Sequence, residues 1–140
     1  MILNKISILA AAIVLAAGVT YALQRVSAQQ EIKRTALLRH DLTIDGREVL
    51  QDRVDFGPGV ISPTHSHPGE EIAYVLEGSI RYELEGRPPV TLNAGQNIFI
   101  PAGAVHRATN VGSDNASELA TYIVKKGKEL LQLHPSNSLP

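Results

Sequence analysis

The amino-acid sequence predicts an all-β domain, a sandwich or barrel of short strands. Three observations predict it. From Gly46 onward the chain breaks into short runs divided by Gly and Pro. Ile80, Tyr82 and Leu84 alternate with Arg81, Glu83 and Glu85, the period-two pattern of a half-buried strand. No stretch beyond Gln29 carries a long 3.6-residue apolar period, the mark of an amphipathic helix.

Residues 1–28 read as an export signal. Lys5 supplies the positive start, the run from Ile6 the apolar centre, and Val26-Ser27-Ala28 the small residues where a signal peptidase cuts, before Gln29. The apolar run lies at the lower edge of membrane-spanning length, so an uncleaved leader would anchor the domain to the inner membrane. Either way the domain is expected outside the cytoplasm, periplasmic or secreted. Residues 29–45 are charged and read as an N-terminal arm, with a strand beginning near Thr35. Residues 46–125 hold the barrel. Its strands are expected at 48–56, 71–76, 79–84, 90–92, 97–100, 105–110 and 118–124, and only partial alternation marks the first. Glu77-Gly78 between the second and third predicts a hairpin. Residues 126–140 form a tail, rich in Ser, Asn and Pro from His134 and expected to be loosely held.

Composition excludes several classes. The chain has 140 residues and no cysteine, so disulfide frameworks, Cys-ligated zinc and thiol nucleophiles are out. Removing the leader leaves 112 residues, enough for one core. The formal charge of −1 becomes −3 once Lys5 and Arg25 depart. With no Trp and no basic footprint, binding of nucleic acid is not expected.

The histidines carry the chemistry. His65 and His67 stand one residue apart, and on a strand such side chains share a face. Glu71 opens the next strand, and His106 follows the turn Pro101-Ala102-Gly103. Three imidazoles and a carboxylate meeting inside a barrel make a divalent-metal site. The stretch from Gly59 through His65, His67 and Glu71 to Gly78 follows the pattern G-x5-HxH-x3-E-x6-G. That from Gly95 through Pro101, Gly103 and His106 to Asn110 follows G-x5-PxG-x2-H-x3-N. Every fixed position is filled, and sixteen residues separate the two. These stretches resemble the paired motifs of the cupin superfamily, in its small single-domain bacterial form.

The resemblance implies a double-stranded β-helix, a jelly-roll barrel, with His65, His67, Glu71 and His106 as metal ligands. One divalent transition metal per chain is implied, Fe or Mn favoured, with Ni, Cu or Zn also suited to this donor set. The partner is a small-molecule substrate or ligand, and the expected chemistry is a dioxygenase-like oxidation, with isomerase, lyase or non-catalytic binding as alternatives. If Glu71 points inward, so do Ala73 and Val75; if His106 does, so do Ala104 and Ala108. Arg53, with Gln51 on the same strand face, is a candidate for gripping a substrate carboxylate. Glycines at 78 and 95 are expected at hairpin corners, and the Asn110 amide is expected to bridge a loop. Barrels of this kind pair, so a homodimer is expected, its N-terminal arm extending the neighbour's sheet.

Overall fold

The computed structural model describes residues 32–139; the expected leader at 1–28 lies outside them. Two antiparallel five-stranded sheets enclose one core. In the first, the order is β1 (Ile32–Asp41), β2 (Arg47–Phe56), β9 (Ala116–Lys125), β4 (Gly69–Glu77) and β7 (Asn97–Ile100). In the second, it is β10 (Gln132–Leu133), β3 (His65–Ser66), β8 (His106–Asn110), β5 (Ser79–Leu84) and β6 (Val90–Asn93). The architecture is the jelly roll that the motifs imply, with no α-helix among the described residues.

Alternation decides which residues form the core. On β9 the inward set is Ala116, Glu118, Ala120, Tyr122 and Val124, all buried. Ile80 and Tyr82 face them from β5. Burying a side chain such as Ile80 fully is worth about 1.5–3 kcal/mol. The weak alternation of β2 has a physical cause. Glu48 and Asp52 are in phase with inward Val54 and Phe56, and β1 supplies a cation for each. Arg39 grips Glu48 with two bonds of 2.7 and 2.9 Å, and Arg34 lies 3.6 Å from Asp52.

The structure corrects four expectations, two about hairpins and two about the ends of the domain. Glu77-Gly78 is no hairpin, because β4 and β5 belong to different sheets. Gly78 instead turns the chain across the barrel at φ +76°, where an added Cβ would stand 2.7 Å from the Cβ of Ala116. Gly95 likewise lies where the chain crosses, from β6 to β7, and not in a hairpin. The arm is a strand of the barrel: β1 begins at Ile32 and pairs with β2 of its own chain along its length, with an irregularity between Ala36 and Leu38. The tail is docked. β10 pairs with β3, the His134 amide donates to the Thr64 carbonyl at 2.9 Å, and Leu139 is buried.

Asn110 bridges loops as expected. Its Nδ2 donates to the carbonyls of Phe56, Gly57 and Asp114, and its Oδ1 accepts from the Gly112 amide. The side chain is 1% exposed, so water cannot replace these bonds. Asn110→Ala should destabilise the protein by roughly 2–4 kcal/mol. Urea unfolding checks this; a loss under about 1 kcal/mol would mean that the loops do not depend on the amide.

Candidate metal centre

Three imidazoles converge at one end of the barrel interior. β3 delivers His65, the residues just after it His67, and β8 His106, which pairs directly with His65 across the ladder. All three are buried, and one ligating nitrogen from each lies within 4.8 Å of the others. Ring centroids are 4.3 to 5.1 Å apart. From the opposite sheet, Glu71 on β4 brings Oε2 to 2.9 Å from His67 Nε2 and 3.3 Å from His106 Nε2.

The backbone sets which nitrogen faces the centre. Each Nδ1 lies against a carbonyl oxygen: His65 against Pro63 at 2.7 Å, His67 against Leu130 at 2.8 Å, His106 against Ala104 at 2.9 Å. A carbonyl only accepts, so each Nδ1 carries a hydrogen, and in its neutral tautomer each ring turns the Nε2 lone pair inward. The acceptors for His65 and His106 sit two residues back on their own segments. That for His67 comes from the C-terminal tail.

Such an array repels itself. His67 Nε2 and Glu71 Oε2 are close, yet they are unaligned for a hydrogen bond and have no other partner, although both are buried. Burial, and after it neighbouring His106, lower the pKa of His65 to about 4, so the ring is neutral. Lone pairs and a carboxylate meeting without a hydrogen between them fit a cation.

A cavity of about 320 Å³ opens beside the centre. His65, Glu71 and His106 line it with Val54, Phe56 and Ile100, and Leu131 and Leu133 of the tail cover it. Of the six further pocket candidates, Ala108 alone lines it. Ala73 and Val75 point inward as expected, but they are packed into the core. Ala104 is only partly buried, and it contributes the carbonyl for His106. Arg53 and Gln51 belong to the outward face of β2. Arg53 is engaged by Asp55 at 2.7 Å and Glu77 at 2.6 Å, and Gln51 donates to Thr121. Their odd-numbered phase places them outside, because Val54 and Phe56 hold the inward phase.

Four polar residues escaped the sequence reading. Arg34, Tyr82 and Glu118 line the cavity, and the Tyr122 ring lies 4.7 Å from that of His67. For Glu118 a signal existed: a charge in phase with Ala116, Ala120 and Val124 on an otherwise apolar face. The Tyr82 hydroxyl donates to Glu118 Oε2. Burial raises the pKa of Glu118 to about 7, and the charge of Glu71 adds to the shift. Burial also pushes the Tyr82 and Tyr122 hydroxyls far above the ordinary phenol range.

Fold and site together define a β-barrel of the cupin type whose three interior histidines could hold a metal ion. The Cupin_2 family, the cupin domain, matches residues 52–127, and the chain belongs to that family. It is similar to dimethylsulfoniopropionate lyase DddQ of Ruegeria pomeroyi, 42% identical over 48 residues that cover 34% of this chain and 24% of the relative. It is also similar to germin-like protein subfamily 3 member 1 of Arabidopsis thaliana, 32% identical over 104 residues covering 69% of this chain and 50% of the relative. The crystal structure of DddQ superposes with a TM-score of 0.60 at 26% identity, covering 73% of this chain and 51% of that one. An oxalate oxidase structure superposes with a TM-score of 0.59 at 26% identity, covering 73% and 55%. The chain thus spans half or less of the length of these two curated relatives.

The Glu118 shift fixes the sign of a pH dependence. Its folded pKa of about 7 stands above the ordinary 4.5, so the folded state holds the proton more tightly. The stabilisation is fully present below the ordinary value and is lost as pH rises through about 7. Glu118→Gln should therefore gain on the wild type by roughly 1–3 kcal/mol between about pH 5 and about pH 8.5. Urea unfolding at both pH values reads it out, and an unchanged difference would place the Glu118 proton elsewhere.

Proposed function

We propose that this protein is a metal-dependent cupin enzyme that oxidises a small organic molecule in a dioxygenase-like reaction. The observation that carries the reading is the inward convergence of His65, His67 and His106 at the edge of a cavity, with the partnerless Glu71 oxygen beside the last two. His65, His67, Glu71 and His106 would hold one divalent metal, with Fe or Mn favoured and Ni, Cu or Zn also suited to the donors. A metal there supplies Lewis-acid polarisation of a bound oxygen and, for iron or manganese, electron transfer with dioxygen.

The residues do the rest. The Pro63, Leu130 and Ala104 carbonyls hold the imidazoles in one tautomer and one orientation, so the donors need no rearrangement. Val54, Phe56, Ile100 and Leu131 keep bulk water from the reacting end. The cavity lies at the small end of the roughly 300–1,000 Å³ usual for small-molecule sites. Similarity to oxalate oxidases supports oxidation of a small molecule. A second reading, a lyase in which nothing is oxidised, draws on the similarity to DddQ. With the expected leader, the reaction takes place outside the cytoplasm.

Purified protein should contain close to one transition metal per chain by elemental analysis, and His67→Ala and His106→Ala should each abolish it. Full occupancy in either variant would refute the ligand assignment. The iron- or manganese-loaded protein should consume oxygen with a member of a panel of phenols, diols and oxo acids. Turnover without oxygen uptake would select the lyase reading.

Deleting residues 130–140 removes the Leu130 carbonyl that holds His67 and the Leu131–Leu133 cover. Metal affinity should fall by about 10- to 100-fold, the usual cost of losing such a support. Competition with a chromogenic chelator measures it, and unchanged affinity would show that the tail only covers the cavity.

A further inference from the structure

Two charged side chains in the cavity take no part in holding the metal. Glu118 lies on the inward face of β9, between Val54 of β2 and Val75 of β4 in register. It is 4% exposed, and its protein hydrogen bond is the one Tyr82 donates to Oε2. Oε1 receives none among the described residues, and the residue faces the cavity. A carboxyl group in such a place costs several kcal/mol unless something else meets it.

Arg34 stands in the same cross-strand row, opposite Val54 on the edge strand β1. Its guanidinium runs along the barrel towards the centre. Nη1 donates to the Tyr122 hydroxyl at 2.9 Å, and the Tyr122 ring packs against His67. Asp52 lies 3.6 Å from the same nitrogen, too far for a hydrogen bond. Nη2 and Nε have no partner among the described residues, and they form the fork that matches a carboxylate. Counting a divalent metal, Glu71, Arg34 and Asp52, the interior carries one net positive charge when Glu118 holds its proton. That favours an anion. The space is about ten water volumes, taking ~30 Å³ for each.

Resting on the metal-centred reading, we propose that the ligand is a small hydroxy- or oxo-carboxylic acid. Arg34 holds its carboxylate beside the metal, Glu118 hydrogen-bonds its hydroxyl or carbonyl oxygen, and Val54 and Phe56 take its carbon body. Tyr122 and Tyr82 are positioning residues: the first aims the guanidinium and the second the carboxyl group.

Titration calorimetry of the manganese-loaded protein tests this with hydroxy and oxo acids of up to about ten non-hydrogen atoms. Each acid is run against its methyl ester and against the acid lacking the hydroxyl or oxo group. At least one acid should bind about tenfold or more tightly than its ester, and Arg34→Gln should erase that preference. The double variant Glu118→Leu/Tyr82→Phe, which leaves neither partner orphaned, should erase the preference for the oxygenated acid over the plain one. The proposal falls if no acid outbinds its ester, or if both preferences survive the substitutions. Metal content, measured in every sample, separates the failures. Full metal without discrimination overturns this proposal alone, whereas a wild type that takes up no metal overturns the metal-centred reading with it.

Discussion

The constraint on which the structure depends is the pairing of each imidazole Nδ1 with a backbone carbonyl. Three such pairs turn three lone pairs to one point, where Glu71 adds a carboxylate. Everything that holds those carbonyls in place is therefore part of the site. β8 carries His106 beside His65, so the second sheet sets the distance between two donors through its ladder. Glu71 comes from the other sheet, so packing between the sheets sets the remaining distances. Gly69, at the start of that strand, has no room for a side chain, since an added Cβ would lie 2.0 Å from the Ile123 carbonyl oxygen. The approach of β4 to β9 that seats Glu71 opposite Tyr122 needs that glycine.

The two sheets divide the chemistry. The second contributes two of the histidines through β3 and β8, whose backbone hydrogen bonds are shared with neighbouring strands. The first contributes the carboxylates Glu71 and Glu118, the aromatic wall of Tyr122, and through β1 the cation Arg34. Charges on the first sheet's inner face are tolerated because they meet partners across strands: Asp52 with Arg34, Glu48 with Arg39, Glu118 with Tyr82 from the opposing sheet. The barrel interior is thus apolar where it is packed and polar where it opens.

Legibility in the sequence followed the locality of the cause. His65, His67, Glu71 and His106 stand in motifs with fixed spacing, and a period-two strand carries them to a shared interior; the structure brings all four together. The strands at 79–84 and 97–100 fall where their alternation and bounding turns place them. Arg53 misled because a strand pattern tells two faces apart only when one is clearly apolar, and Glu48 and Asp52 disguise the inner face of β2. The hairpin expected at Gly78 misled because a glycine at positive φ serves a sheet-crossing corner as well as a hairpin.

By itself, the sequence determined the β class, the spacing of the histidines and carboxylate proposed as ligands, and the absence of thiol chemistry, because these depend on residue identity and on periodicity within one segment. Tertiary structure alone decided that Arg34 and Glu118 share a cavity with His65 and His106, although Arg34 stands 31 residues before His65 and Glu118 12 residues after His106. It alone decided that the Leu130 carbonyl would set the tautomer of His67 and that Leu131 and Leu133 would cover the opening. Contacts of that kind arise from which strand lies beside which, and no local pattern of residues encodes the order β1-β2-β9-β4-β7.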